Sequence, residues 1–369
     1  MAPGMAEPFE PCRWEGVAAF VRGLEAGAGP LETRIHPADE MYGFEVESRH
    51  RTREAAALLY FATGSQIVHA VDQVLRWRFP DRARVRSLLD FGSGYGRATR
   101  FLTRLLPAER ITVAEIDPNA VAFQQDTFGV RGVVSGTQPG DLRVERIFDA
   151  ILAVSFFSHL PAARFEAWLA RLYALAAPGG VVVFSVHGMG LLSGPEPEAA
   201  QGIVFRAVSE TTRLEGADYG TSFVTPTFVE AVARDVTGGE ARLIGCPFGL
   251  AGYQDLYVLA RPPLPEAPDL RLARFPLGAL DAAQVREGSV LAEGWACGSE
   301  DERPPDVRLV LDGAVAAVSP GEGAPGSRRR WKFTFPTAAV SPDAIIRVEA
   351  ESSRGLSRIL VAETLRPYL

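Results

Sequence analysis

Apolar residues recur along this chain with two spacings, and the predicted elements change where the spacing changes. From Arg49 to Phe79 they fall three and four apart in "AAALLYFATGSQIVHAVDQVLRWRF", the period of a helix with a buried face. Gly64 interrupts that run and predicts two helices, the second capped by Ser65, with Pro80 as the stop. Beyond Pro80, short apolar runs alternate with helical patterns. "VRSLLDF" predicts a buried strand and "RATRFLTRLL" the helix after it. "RITVAEI" predicts a second strand, and "DPNAVAFQQDTF" a helix with Asp117 at its N-cap and Pro118 in its first turn. "GVRGVVS" and "IFDAILAVSFF" read as the third and fourth strands. A helix over "PAARFEAWLARLYALAA", a Pro-Gly-Gly turn and a fifth strand, "VVVFSVH", follow. After a long irregular segment come the helix "TPTFVEAVARDV" and the strands "EARLIGC" and "GYQDLYVLAR". Strands separated by helices of this length need crossovers, and crossovers imply a parallel sheet.

The pattern breaks at "RPPLPEAPDLR", where proline density marks a linker. Beyond it "SVLAEGWACG", "DVRLVLDGAVAAV", "RRWKFTF", "AIIRVEAES" and "SRILVAETL" are short strand patterns with turn signals between them, the signature of a small β-sandwich. The organisation expected is an N-terminal helical cap region (1–84), an α/β domain (85–261), a linker (262–272) and a β-sandwich-like module (273–369).

Composition narrows the function classes. The net charge is −7 with no long run of one sign, so a nucleic-acid footprint is not expected. Arg328-Arg329-Arg330 is the one basic run and is expected in a surface turn between strands. Three scattered cysteines without metal-ligand spacing fit a reducing compartment. The N-terminus lacks a basic start followed by an apolar core, and no apolar stretch is long enough to span a bilayer. A soluble cytoplasmic protein is the expectation.

The chemistry concentrates in "LLDFGSGYGR". A strand running into a glycine loop and then a helix presents bare backbone N–H groups and a positive helix end to a ligand. A phosphate loop would need Lys-Ser/Thr after the last glycine, but Arg97-Ala98 follows Gly96. The dinucleotide fingerprint would need Gly or Ala three residues after Gly94, where Arg97 stands. A nicotinamide-dependent oxidoreductase is therefore disfavoured. Glu115 closes the second strand, and an acid ending a buried strand has little structural reason to be there.

Asp90, Gly92, Gly94 and Gly96 resemble the first motif of class I S-adenosylmethionine-dependent methyltransferases, in a likeness that runs from about Val85 to Arg261. "FDAILAVSFFSHLP", with Asp149 and His159, and "APGGVVVFSVHG" are similar to the later motifs in the expected order. The resemblance implies a Rossmann-like sheet with flanking helices and S-adenosylmethionine as cofactor. It implies that the loop passes under the methionine portion, that Asp90 helps hold its amino group and that Glu115 binds the ribose hydroxyls. Tyr60 and Gly64 lie where relatives close a lid over the cofactor, and core packing is an equal reading of Tyr60 and Phe61. An acid after the third strand, which often holds the adenine, is missing: Thr137 and Gln138 come first and Asp141 only later.

Methyl transfer is an in-line displacement, so alignment and proton removal are the protein's tasks. "AVSFFS" offers no metal-binding acids, which points to metal-independent transfer, most readily to oxygen of a small molecule or glycan. His159 and His187, just past strand ends, are the candidate general bases, and Tyr253 and Gln254 candidates for the substrate rim. The Gly294-Trp295 strand and the "LDG" turn resemble, loosely, a small β-domain that accompanies bacterial sugar-modifying transferases. That association tilts the acceptor towards a surface polysaccharide, with Trp295 read first as a core residue. The alternative is a glycan-binding or scaffold protein whose methyltransferase-like half no longer turns over.

Overall fold

The computed structural model describes residues 7–26, 28–193, 201–208, 214–264, 269–311, 313–339, 341 and 345–364. It divides into two compact units, one of residues up to Gln66 with Ala273 onwards, the other Ile67–Leu272.

Helices α1 (Glu15–Glu25) and α2 (Glu40–Glu47) of the first unit precede α3, which runs unbroken from Arg53 to Arg78, its residues from Ile67 on counted with the second unit. Gly64 does not split it, contrary to the sequence expectation. One glycine costs a helix about 1 kcal/mol, which a run of fully buried residues such as Leu58, Phe61 and Leu75 outweighs.

Ile67–Leu272 holds the α/β sheet, whose labels follow the chain. Its strands and helices are β1 (Leu88–Phe91), α4 (Thr99–Leu102), β2 (Ile111–Glu115), α5 (Pro118–Phe128), β3 (Arg131–Val134), β4 (Phe148–Ala153), α6 (Ala162–Leu175) and β5 (Ala176–Gly188). Then come β6 (Ile203–Arg206), β7 (Thr221–Val224), α7 (Pro226–Thr237), β8 (Arg242–Leu250) and β9 (Gln254–Ala260). The order β3-β2-β1-β4-β5 is parallel throughout. β9 joins β5 antiparallel through Val181–Val186, and β8 joins β9. This is the Rossmann-like sheet expected. Central strands of such a sheet are covered on both faces, and β1 is buried at every position. Leu89, Ile151, Phe165, Leu169 and Phe184 lie within one core on the sheet. β6 and β7 form within the stretch expected to be irregular, pairing onto the end of β5 at His187 and Gly188. The predicted helix after β1 shortens to α4, with turns on either side.

Local chemistry sets the helix ends. Asp117 Oδ1 accepts the Asn119 N–H, Pro118 takes the first position and Gly129 closes α5 at φ +69°. Thr225, Pro226 and Gly238 play the same parts for α7.

The C-terminal residues build two antiparallel sheets. One is β10 (Leu277–Arg286), β11 (Ser289–Cys297) and β14 (Arg328–Pro336); the other orders β13 (Ala314–Ser319), β12 (Asp306–Leu311), β15 (Ile345–Glu351) and β16 (Ser357–Thr364). Val290, Trp331, Phe333 and Phe335 pack with Leu309, Ile346 and Val348 as its core. Two expectations change here. Arg328–Arg330 opens β14 rather than turning, because Arg328 and Arg330 alternate with the buried Trp331, Phe333 and Phe335. Trp331 is the core tryptophan, while Trp295 is half-buried with the Arg328 guanidinium 3.9 Å over its ring. No described helix is long and apolar enough to cross a membrane.

Candidate active site

The carboxyl ends of β1, β2, β4 and β5 carry the polar groups that the sequence singled out. Gly92, Gly94 and Gly96 all take left-handed backbone, at φ +67°, +54° and +83°. Their surroundings differ. A methyl group on Gly94 would meet nothing within 4 Å, whereas one on Gly96 would overlap the Phe128 ring. The middle glycine of the loop thus faces open space and the last is closed from behind.

Glu115, at the end of β2, is joined to that loop. Its Oε2 accepts the Gly94 N–H at 2.9 Å and its Oε1 the Ile116 N–H at 2.8 Å. Burial raises the Glu115 pKa, and these backbone donors oppose it. A carboxylate has about four acceptor positions, so it can also accept from a ligand. Beside it an open cleft of about 350 Å³ is lined by Ile116, Asp117, Pro118 and Asn119. Asp117 serves as the N-cap with one oxygen and accepts the Tyr95 hydroxyl at 2.8 Å with the other.

Asp90 is buried beneath the loop, 2.8 Å from the Thr99 hydroxyl, and burial pushes its pKa up to about 7. Asp149 holds β4 to the start of β1, accepting the Arg86 and Ser87 N–H groups at 2.7 and 3.1 Å. Asp141 accepts the Gln138 N–H at 3.1 Å within its own tight turn.

His159 and His187 come together, with ring centroids 6.1 Å apart. His159 Nδ1 lies 2.7 Å from the Gly220 carbonyl, so it carries the proton and Nε2 the lone pair. Its ring stacks on Tyr219, with centroids 4.7 Å apart. His187 is arranged differently. Gln254 Nε2 stands 3.1 Å from His187 Nε2, while Gln254 Oε1 accepts the Ser185 and Ser155 hydroxyls at 2.7 and 3.1 Å. An amide nitrogen only donates, so His187 Nε2 spends its lone pair on Gln254. Burial, and then the His159 charge, push the His187 pKa down to about 4.

That shift has a testable sign. Between pH 6.5 and 4 the unfolded chain binds a proton at His187 that the folded chain refuses, so stability is lost as pH falls through that window. Denaturant unfolding at pH 7 and 4.5 is expected to show the wild type losing about 2 kcal/mol more than a His187→Gln variant. Equal losses would mean that His187 titrates normally.

Tyr60 and Gly64 belong to the other unit, on α3. The buried Tyr60 hydroxyl donates to Asp39 Oδ2 at 2.6 Å, and Gly64 is buried within the helix. Tyr253 is half exposed, and its ring lies 5.8 Å from His187. Gln254 is buried in the polar network, not at a rim. Sequence reasoning missed Ser155, Ser185, Thr99 and Gln124. Serine, threonine and glutamine carry no local signal of their tertiary partners, whether in a helix, a strand or, as Ser155, a turn.

Residues 89–182 match the family described as a methyltransferase domain. A malonyl-[acyl-carrier protein] O-methyltransferase from Bacillus cereus is 25% identical over 130 residues, 35% of this chain and 47% of that protein. The chain thus spans about half the length of that curated relative. Among solved structures, an O-methyltransferase family protein from Burkholderia thailandensis is 15% identical, with 59% of this chain and 63% of that one covered at a TM-score of 0.39. An amino pentose methyltransferase from Micromonospora echinaspora, solved with S-adenosylmethionine bound, is 19% identical, with 53% and 91% covered at 0.38.

Proposed function

We propose, from the class I S-adenosylmethionine-dependent methyltransferase domain that residues 89–182 form, that this chain methylates an oxygen of a glycan or small molecule without a metal. The observation that carries the reading is the joint between Glu115 and the Gly94 N–H at 2.9 Å. It ties a strand-end carboxylate directly to a bare left-handed loop.

The residues fit the cofactor. Glu115 keeps acceptor capacity for a vicinal diol, Gly94 faces open space, and the cleft lined by Ile116–Asn119 begins at the residue after Glu115. Asp90, Gly92, Gly94, Gly96 and Glu115 would hold it. When bound, S-adenosylmethionine supplies an electrophilic methyl group. The chain's own part is to align the acceptor hydroxyl and take its proton. His159 suits that role, because its Nδ1 is tied to the Gly220 carbonyl and its Nε2 is the basic atom. His187 is better read as a neutral wall of the site, its lone pair engaged by Gln254 and its burial opposing charge. The aromatic surround of Tyr219, Phe156 and Tyr253 can stack on the flat face of a sugar or an aromatic ring.

Isothermal titration with S-adenosylhomocysteine tests the cofactor part. Wild type is expected to bind in the micromolar range and Glu115→Ala about tenfold or more weaker, through loss of charge-assisted hydrogen bonds. A folded wild type that does not bind would end this reading.

A further inference from the structure

Behind the glycine loop runs a chain of buried polar groups, of which the proposed function uses Asp90 alone. Gln124, on α5 and fully buried, donates its Nε2 to the Gly94 carbonyl and to Ser93 Oγ, both at 2.8 Å. A carbonyl can only accept, so the Gln124 amide has one orientation. Its Oε1 then faces Thr99 Oγ1 at 2.7 Å and requires the hydroxyl hydrogen. Thr99 has one such hydrogen, yet the same Oγ1 lies 2.8 Å from Asp90 Oδ2. With that hydrogen committed to Gln124, an ionised Asp90 would set two lone pairs against each other in the interior. A protonated Asp90 donates its own hydrogen to Thr99, and every contact is satisfied.

We propose that Gln124 is a positioning residue that anchors the glycine loop and, through Thr99, holds Asp90 as a neutral carboxylic acid in the ligand-free protein. The elements around Asp90 agree. β2 sets Val113 beside it and β4 sets Leu152, both apolar. α4 contributes the Thr99 hydroxyl and α5, through Thr99, the Gln124 amide. The charge that acts on it is Glu115, at the end of β2, and a second carboxylate so near favours the neutral acid, as does burial. Asp90 would release its proton when a cation is lodged nearby, so a ligand carrying an ammonium group should bind with proton release. That consequence rests on the cofactor reading; the protonation state does not.

The infrared difference spectrum between wild type and Asp90→Asn, both ligand-free, reads the acid directly. At pH 6 a carboxylic-acid carbonyl band is expected, titrating away near pH 7. Gln124→Met frees the Thr99 hydrogen for Asp90, so the band of that variant is expected to titrate at least one pH unit lower. Burial alone would leave that midpoint in place, and an unmoved midpoint overturns the role of Gln124. If Gln124→Met does not fold, the wild-type spectrum still decides, since no acid band at pH 6 overturns the proposal. Calorimetry with S-adenosylhomocysteine at pH 6, in buffers of different ionisation enthalpy, should show proton release by wild type and none by Asp90→Asn. Binding by wild type without proton release overturns the coupling. An acid band with no binding at all would instead remove the cofactor reading and leave the neutral Asp90 standing.

Discussion

Gly96→Ala is expected to lower stability by about 2–4 kcal/mol, the sum of left-handed strain on a β-carbon and overpacking. The backbone there lies at φ +83°, and the added methyl would overlap the Phe128 ring and stand 3.0 Å from Gln124 Oε1. Phe128 closes α5 and Gln124 holds the loop, so neither can move aside cheaply. For a unit of this size the melting temperature should fall by about 10 °C. Gly94→Ala is the control that separates stability from binding. It shares the left-handed backbone, at φ +54°, but meets nothing within 4 Å. It should cost only about 1 kcal/mol of stability while placing a methyl group where the cofactor is proposed to lie. Thermal melts of both variants, with S-adenosylhomocysteine titrations beside them, check the pair. A Gly96→Ala protein that melts with wild type would mean that the packing behind the loop is not as described.

His159→Gln is expected to lower turnover by about 10²–10⁴-fold while leaving S-adenosylhomocysteine affinity within about twofold, the range of a positioned general base. The side chain is held on both sides, by the Gly220 carbonyl at Nδ1 and by the Tyr219 ring. Glutamine can keep the contact to that carbonyl but cannot take a proton. The measurement is transfer of labelled methyl from S-adenosylmethionine to a panel of hydroxylated sugars and small aromatic alcohols. His187→Gln should cost less, because its Nε2 is already spent on Gln254. If the two variants fall equally, or His187→Gln falls further, the assignment of the base to His159 is wrong.

The strands of the α/β sheet were legible because the sequence carries their cause locally. Buried parallel strands read as near-continuous apolar runs, and "SLLDF", "ITVAE" and "VVVFSV" are such runs, broken by only one or two polar residues each. Asp117-Pro118 and Thr225-Pro226 mark helix starts through bonds that close within three residues. Where a cue depended on distant neighbours, it misled or was silent. Gly64 looked like a break, yet burial around it carries α3 through. The three arginines at 328–330 looked like a turn, yet Arg328 and Arg330 alternate with Trp331, Phe333 and Phe335 and the run is strand.

The same division runs through the site. By itself the sequence determined the glycine loop, the strand-end Glu115 and the two histidines as candidates, because each is defined by its place relative to a strand. Only the tertiary structure decided that the histidines differ, that Gln254 belongs to a buried network, and that Thr99 and Gln124 bear on Asp90. Those facts are hydrogen bonds between residues 9 to 99 positions apart. A donor's direction depends on which acceptor the fold delivers to it, and no spacing along the chain encodes that.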